Sequence, residues 1–183
     1  MKKNTYVAIV GLPGSGKTVA AQFFRLRGFS VLRFGDVTDS GLAELGLPLT
    51  EANERKYREE IRAKLGMGAM AIKIEPRIRE AEKTSSRIAL DGMRSFEEYV
   101  YLKEKFPGLV VLSVYASPAI RYARLAARKE RPLTPTESQS RDYAEIENLH
   151  SGGPIAMADY VIKNESTPEA FEASLTEFLA TLS

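Results

Sequence analysis

Eight residues, GLPGSGKT at Gly11–Thr18, constrain the fold more than any other feature of the chain. They follow an apolar, β-branched run, TYVAIV at 5–10, and lead into GKTVAAQFFRLR at 16–27. In that second stretch Val19, Ala20, Phe23, Phe24 and Leu26 fall largely on one side of a helix, and Gly28 stops it. Strand, glycine-rich turn and helix in direct succession make one βα unit.

Gly11, Gly16, Lys17 and Thr18 satisfy the spacing G-x-x-x-x-G-K-[ST]. At average residue usage a chance match in such a chain is on the order of one in a hundred or less. Glycines let successive backbone N–H groups turn inward around anionic oxygens, and the helix N-terminus adds a favourable dipole. The motif therefore predicts a nucleoside triphosphate cradle. Lys17 reaches the outer phosphates and Thr18 offers its hydroxyl to Mg²⁺. Pro13, Gly14, Ser15 and Val19 complete the expected ATP-contacting set. A dinucleotide site is the competing reading, because Asp36 lies where a ribose-binding acid would sit. It needs a third glycine, and Val19 stands there instead.

The rest of the chain alternates in kind. SVLRF (30–34), RIALDG (87–92), LVVLSVYA (109–116) and DYVIKN (159–164) read as strands. Helices are expected at 50–65 with Thr50 as cap, 95–106 with Ser95 as cap, and 117–129 with Ser117 as cap and Pro118 at the first position. The stretch 68–82 is helical with Pro76 expected to kink or divide it. Residues 131–140 read as a loop, 141–149 as a helix, 151–154 as a turn and 168–182 as a closing helix. The order predicts an α/β fold, a five-stranded parallel sheet with helices on both faces. We expect one domain over 1–183, with a helical insert at about 36–82 and a lid at about 128–141.

Composition narrows the function. Lys and Arg number 26 against 24 Asp and Glu, a net +2, so there is no surplus for coating nucleic acid or an anionic membrane. The absence of cysteine excludes disulfides, thiolate catalysis and Cys-based zinc sites, and fits a cytoplasmic setting. MKKNTYVAIVGLPGSG is a poor signal peptide, because its apolar run is short and enters a glycine-rich turn.

In a parallel sheet the site lies at the carboxyl ends of the strands. GLPGSGKT, Asp36 and Asp91 all follow strand ends. One of the two aspartates holds a Mg²⁺-bound water, and the other orients or deprotonates an acceptor hydroxyl; alternatively each caps the helix that follows. Arg94, three residues after Asp91, is placed to fork onto an acceptor phosphate or carboxylate. Arg121, Arg124 and Arg128 share a helix face, and Arg131 and Arg141 bound the expected loop. Of these, Arg128 is the favoured contact to the transferring phosphate. His150, the only histidine, carries no assigned role. Met67 and Met70 are either core or pocket lining.

Taken together, GLPGSGKT, FGDV (34–37), LDGMRS (90–95), RYARLAARKER (121–131) and ADYVIKN (158–164) resemble the adenylate-kinase-like nucleotide kinases. The likeness is nearest to the archaeal group related to adenylate kinase and dephospho-CoA kinase. It implies a P-loop NTPase fold of three layers. It implies that Asp91, Gly92 and Arg94 form the acceptor-phosphate element and that Asp36 contacts the acceptor. By similarity to dephospho-CoA kinases, the segment near Asn164 lies by the adenine of ATP. The stretch Arg128-Lys-Glu-Arg131 departs from the usual lid pattern, which has an aspartate that appears here only at Asp142.

The expected function is transfer of the γ-phosphate of MgATP to a small nucleotide-like acceptor by a monomer or homodimer. Nucleoside monophosphates come first and dephospho-CoA second. The rival reading is a P-loop ATPase or nucleotide-dependent switch with a protein or ribonucleoprotein partner, for which the charged helix 50–65 offers a surface.

Overall fold

The computed structural model describes residues 4–182. Lys2 and Lys3, part of the terminus read as a poor signal peptide, lie outside the described residues. Apolar strands can leave water only if their backbones pair. Five do so here: β1 (Thr5–Val10), β2 (Ser30–Arg33), β3 (Arg87–Asp91), β4 (Leu109–Tyr115) and β5 (Tyr160–Lys163). They form one parallel sheet in the order β2-β3-β1-β4-β5.

Alternation along each strand feeds two cores. Val7, Ile9, Ala89, Leu112 and Val114 face α1 (Lys17–Leu26) and α9 (Pro168–Thr181), against Ala20, Phe23, Phe24, Phe171, Leu175 and Phe178. Ala8, Val10, Ile88, Leu90 and Val111 face the other way. They meet Val37 of α2 (Gly35–Glu44), Ile61 of α3 (Glu51–Leu65), Ile74 and Ile78 of α4 (Ala69–Ala81) and Leu102 of α5 (Phe96–Lys105). Burying one such side chain fully stabilises the fold by roughly 1.5–3 kcal/mol. Beyond these layers α6 (Pro118–Ala126) packs on α7 (Pro135–Glu147), and α8 (Gly152–Ala156) lies against α5.

The caps at Thr50 and Ser95 are present, the latter as a full capping box with Glu98. Ser117 sits at the expected cap position without a side-chain hydrogen bond, and Pro118 occupies the first turn.

Elsewhere the structure corrects the sequence reading. Residues 135–140 are not a loop. Thr134 and Glu137 form a capping box, Pro135 takes the first position, and α7 runs from there to Glu147. Only 127–134 is irregular, so the stretch read as a lid, 128–141, is half helix. Pro76 lies inside an unbroken α4. SGGP opens the short helix α8 instead of a plain turn. Phe34 leaves β2 and caps α2, since its φ of −61° and ψ of −31° are helical, while its N–H still donates to Asp91 O at 2.9 Å. Val19 and Leu26 are exposed; α1 buries the Ala20, Ala21, Phe23 and Phe24 side alone.

Candidate functional site

The loop Gly11–Thr18 leaves β1 at the carboxyl edge, between the ends of β3 and β4. Two glycines show why the residue type is needed. Gly14 has φ +80°, and a Cβ there would lie 2.8 Å from Arg121 O. Gly16, the cap of α1, has φ +111°, and a Cβ there would collide with Asn164 Nδ2. Both conformations disfavour any other residue. Arg121 and Asn164 thus support the loop from beneath. Arg121 Nη1 donates to Pro13 O at 3.1 Å, and Asn164 Nδ2 donates to Ser15 O at 2.8 Å.

Lys17 lies within the concavity of the loop. Its Nζ donates to Gly11 O at 2.6 Å and Leu12 O at 3.1 Å. Burial lowers its pKa to about 8, against the attraction of Glu145. The Ser15 hydroxyl is buried and unpartnered. Asp91 ends β3 opposite Ile9 and Arg33. Burial raises its pKa, partly opposed by Lys17, Arg33 and Arg94.

Two clefts open from this edge. The first, about 400 Å³, runs over the loop and is lined by Pro13, Gly14, Gly16, Lys17, Thr18 and Val19 with Arg33, Asp91, Arg94, Arg124, Arg128, Arg141 and Glu145. Six cations face two carboxylates there, a balance suited to a polyphosphate. The second, about 660 Å³, lies under α3 and is lined by Phe34, Thr38, Glu51, Arg55, Arg58, Arg62, Glu98 and Arg131 among others. The two clefts share Gly35, Gly92, Arg94, Arg141 and Glu145.

At that junction Arg94 Nη1 lies 3.3 Å and Arg141 Nε 3.6 Å from Glu145 Oε1. Beside it Glu98, buried in the capping box of α5, accepts from the N–H groups of Arg94 and Ser95 at 2.7 and 3.2 Å. Burial raises its pKa to about 7, against those two hydrogen bonds.

Most of the residues singled out from the sequence meet here: Lys17, Thr18, Asp91, Arg94 and Arg128 border the donor-side cleft. Two do not. Asp36 lies in the first turn of α2 and faces Arg33 Nη1 at 3.2 Å, outside the lining of either cleft. The Asn164 side chain is spent beneath the loop and on Arg124 Nη2 at 3.4 Å, and it lines neither cleft. Met70 is both things at once, buried in the core and bordering the second cleft. His150 Nδ1 pairs with Glu97 at 2.8 Å on the surface. Asp142, the late aspartate of the lid stretch, makes a buried two-point pair with Arg121 at 2.8 and 2.6 Å.

Sequence reasoning missed Glu145, Arg33 and Arg62. Arg33 was legible, since it ends a strand at the same edge as Asp91. Glu145 stands four residues after Arg141, a spacing that reads as an ordinary surface pair. Arg62 sits in a helix crowded with charge, yet its Nε is buried and unpartnered.

No cluster of three or more His, Cys, Asp or Glu is placed to hold a metal among the described residues. A divalent ion here would depend on Thr18, on Asp91 and on ligand oxygens. Nor is any described helix long and apolar enough to cross a membrane.

Known proteins place this geometry in a family. The AAA domain family model (AAA_18) matches residues 7–147. A UPF0200 protein of Thermococcus onnurineus is 32% identical over 177 residues, covering 94% of this chain and 95% of that one. A UPF0200 protein of Methanoculleus marisnigri is 35% identical over 179 residues, covering 96% of each. TT1252 from Thermus thermophilus superposes with a TM-score of 0.68 at 20% identity over all of both chains. A shikimate kinase from Bacteroides thetaiotaomicron superposes at 0.63 with 12% identity, covering 97% and 98%. A sugar kinase from Janibacter sp. HTCC2649 does so at 0.60 with 19% identity, covering 97% and 95%. The fold is thus the P-loop kinase-like fold. By the extent and identity of these matches, the chain belongs to the AAA domain family and is a relative of the UPF0200 proteins.

Proposed function

We propose that this protein transfers the γ-phosphate of MgATP to a small anionic acceptor, with nucleoside monophosphates as the first choice and dephospho-CoA as the second. The observation that carries the reading is the pair of clefts meeting at Arg94, Arg141 and Glu145, one over the Gly11–Thr18 loop and one under α3. A hydrolase needs only the first cleft. A second cleft, lined by six arginines and five glutamates and opening onto the same point, suits a second reactant. The shikimate and sugar kinases that share the fold support transfer to a small molecule.

The roles follow from position. Backbone N–H groups of Gly14–Thr18 and the Lys17 amine hold the phosphate chain. Thr18 and Asp91 are the residues that would hold Mg²⁺, which supplies charge neutralisation between the phosphates. Arg128 and Arg141 neutralise the charge that spreads over the moving phosphoryl group. Arg94 turns to the acceptor anion. If that acceptor reacts through a hydroxyl, Asp91, which lines the donor-side cleft, is the carboxylate assigned to take its proton. Asn164 and Arg121 hold the loop in shape. Asp36 acts through Arg33.

The rival is an ATPase switch, favoured by the charged outer side of α3, where Lys56 and Glu60 pair at 3.9 Å along the exposed helix. ATP consumption resolved by mass spectrometry separates the two. Nucleoside monophosphates, nucleosides and dephospho-CoA are tested beside an acceptor-free control. A phosphorylated acceptor is the expected result. ADP and free phosphate in every well, with no acceptor used, overturns the kinase reading.

A further inference from the structure

Glu145 is a carboxylate in the place least suited to one. It borders both clefts at their junction, where a phosphoryl group carrying negative charge must pass. It is nearly buried, its side chain 9% exposed, while the side chains of Arg94 and Arg141 are 45% and 44% exposed. The carboxylate therefore shows little surface to the clefts it borders, while the two guanidiniums stay half exposed. Each guanidinium has five N–H donors in a fixed fork. Contact with one Glu145 oxygen engages a single nitrogen of each, Nη1 of Arg94 and Nε of Arg141. No other hydrogen bond among the described residues engages either guanidinium, so the remaining donors stay available. The two arginines come from separate elements, the β3–α5 connection and α7, and nothing in either element alone fixes their spacing.

We infer that Glu145 is a positioning residue that holds Arg94 and Arg141 at one fixed separation, so that acceptor and moving phosphoryl group are aligned. The inference rests on the kinase reading. It assigns Glu145 no contact with either substrate. A bland alternative exists, in which Glu145 only ties α7 to the sheet.

Glu145→Gln keeps the shape and removes the charge. Positioning predicts a fall in kcat of roughly 10- to 100-fold, with KM for ATP and acceptor within about threefold. A tie alone lowers the melting temperature and leaves kcat per folded molecule unchanged, which overturns the inference. Glu145→Asp retains the charge on a shorter arm, serves as the second variant should the amide variant fail to fold, and is expected to fall between the amide variant and the wild type. A second readout needs no turnover. Arginine guanidinium signals in ¹⁵N NMR of the full chain, assigned with Arg94→Lys and Arg141→Lys, should show two restricted side chains that become freely rotating in Glu145→Gln. Unchanged signals overturn the inference. If the wild type phosphorylates no acceptor but the signals behave as expected, the kinase reading falls and the positioning of the two arginines stands.

Discussion

Lys17 shows how a single side chain ties the loop to its ligand. Its amine is held inside the loop by Gly11 O and Leu12 O, and burial brings its pKa from 10.5 to about 8. Between those values the unfolded chain keeps a proton that the folded protein has released. Stability therefore rises with pH from about 8 to about 10.5 and is flat below. A bound phosphate chain reverses the preference, because it favours the ammonium. At about pH 9, ATP binding should take up protons, seen by calorimetry in two buffers of different ionisation enthalpy. Lys17→Met should abolish that uptake. Lys17→Ala should lower turnover by about 10²–10³-fold without lowering the melting temperature of the ligand-free protein, since the residue faces the ligand site instead of the core. Glu98 behaves in the opposite sense. Its folded pKa, about 7, lies above the ordinary 4.5, so stability falls as pH rises from about 4.5 to about 7. Glu98→Gln keeps an oxygen for the Arg94 N–H and should flatten that slope in chemical denaturation at pH 5 and pH 8. A slope that survives in the variant assigns it to another group.

At the scale of elements, α7 is the piece that assembles the site. It brings Arg141 and Glu145 to the junction and Asp142 to Arg121. The Arg121–Asp142 pair is buried on both sides and also holds Pro13 O. Removing one partner from a buried pair leaves an uncompensated charge, at a cost of about 3–5 kcal/mol. Asp142→Ala should therefore lower the melting temperature by on the order of 10 °C for a chain of this size. It should weaken ATP binding as well, because the loop loses its support. A variant that melts as the wild type does contradicts the role given to this pair. The capping box at Thr134 and Glu137, with Pro135 between them, was readable in TPTE as the start of a helix. The density of Pro, Ser and Thr pointed to a loop instead. Local capping chemistry outweighed composition.

For the whole molecule, the sheet order places two clefts on one edge, and ligands should couple to global stability. ATP at a hundred times its Kd adds about 2.7 kcal/mol to a protein that binds it only when folded. The melting temperature should rise by several degrees in the wild type and not at all in Lys17→Ala. Arg94→Ala should raise the KM of the acceptor more than that of ATP. A loss of ATP affinity alone would move Arg94 to the donor side.

The sequence alone determined the βα unit, the phosphate loop and the alternation that makes a parallel sheet. These depend on short-range rules: period two, period 3.6, and the backbone freedom of glycine. It also placed Asp91 and Arg94 near the loop, because strand ends of a parallel sheet share an edge. Tertiary structure decided which charges face the clefts. Asp36 and Asn164 look like site residues in one dimension, but one turns to Arg33 and the other lies beneath the loop. Glu145 looks like a surface residue and is buried between two arginines. Spacing along a helix fixes which residues share a side, while the partner that side meets is set by distant segments, 51 residues away for Arg94 and Glu145.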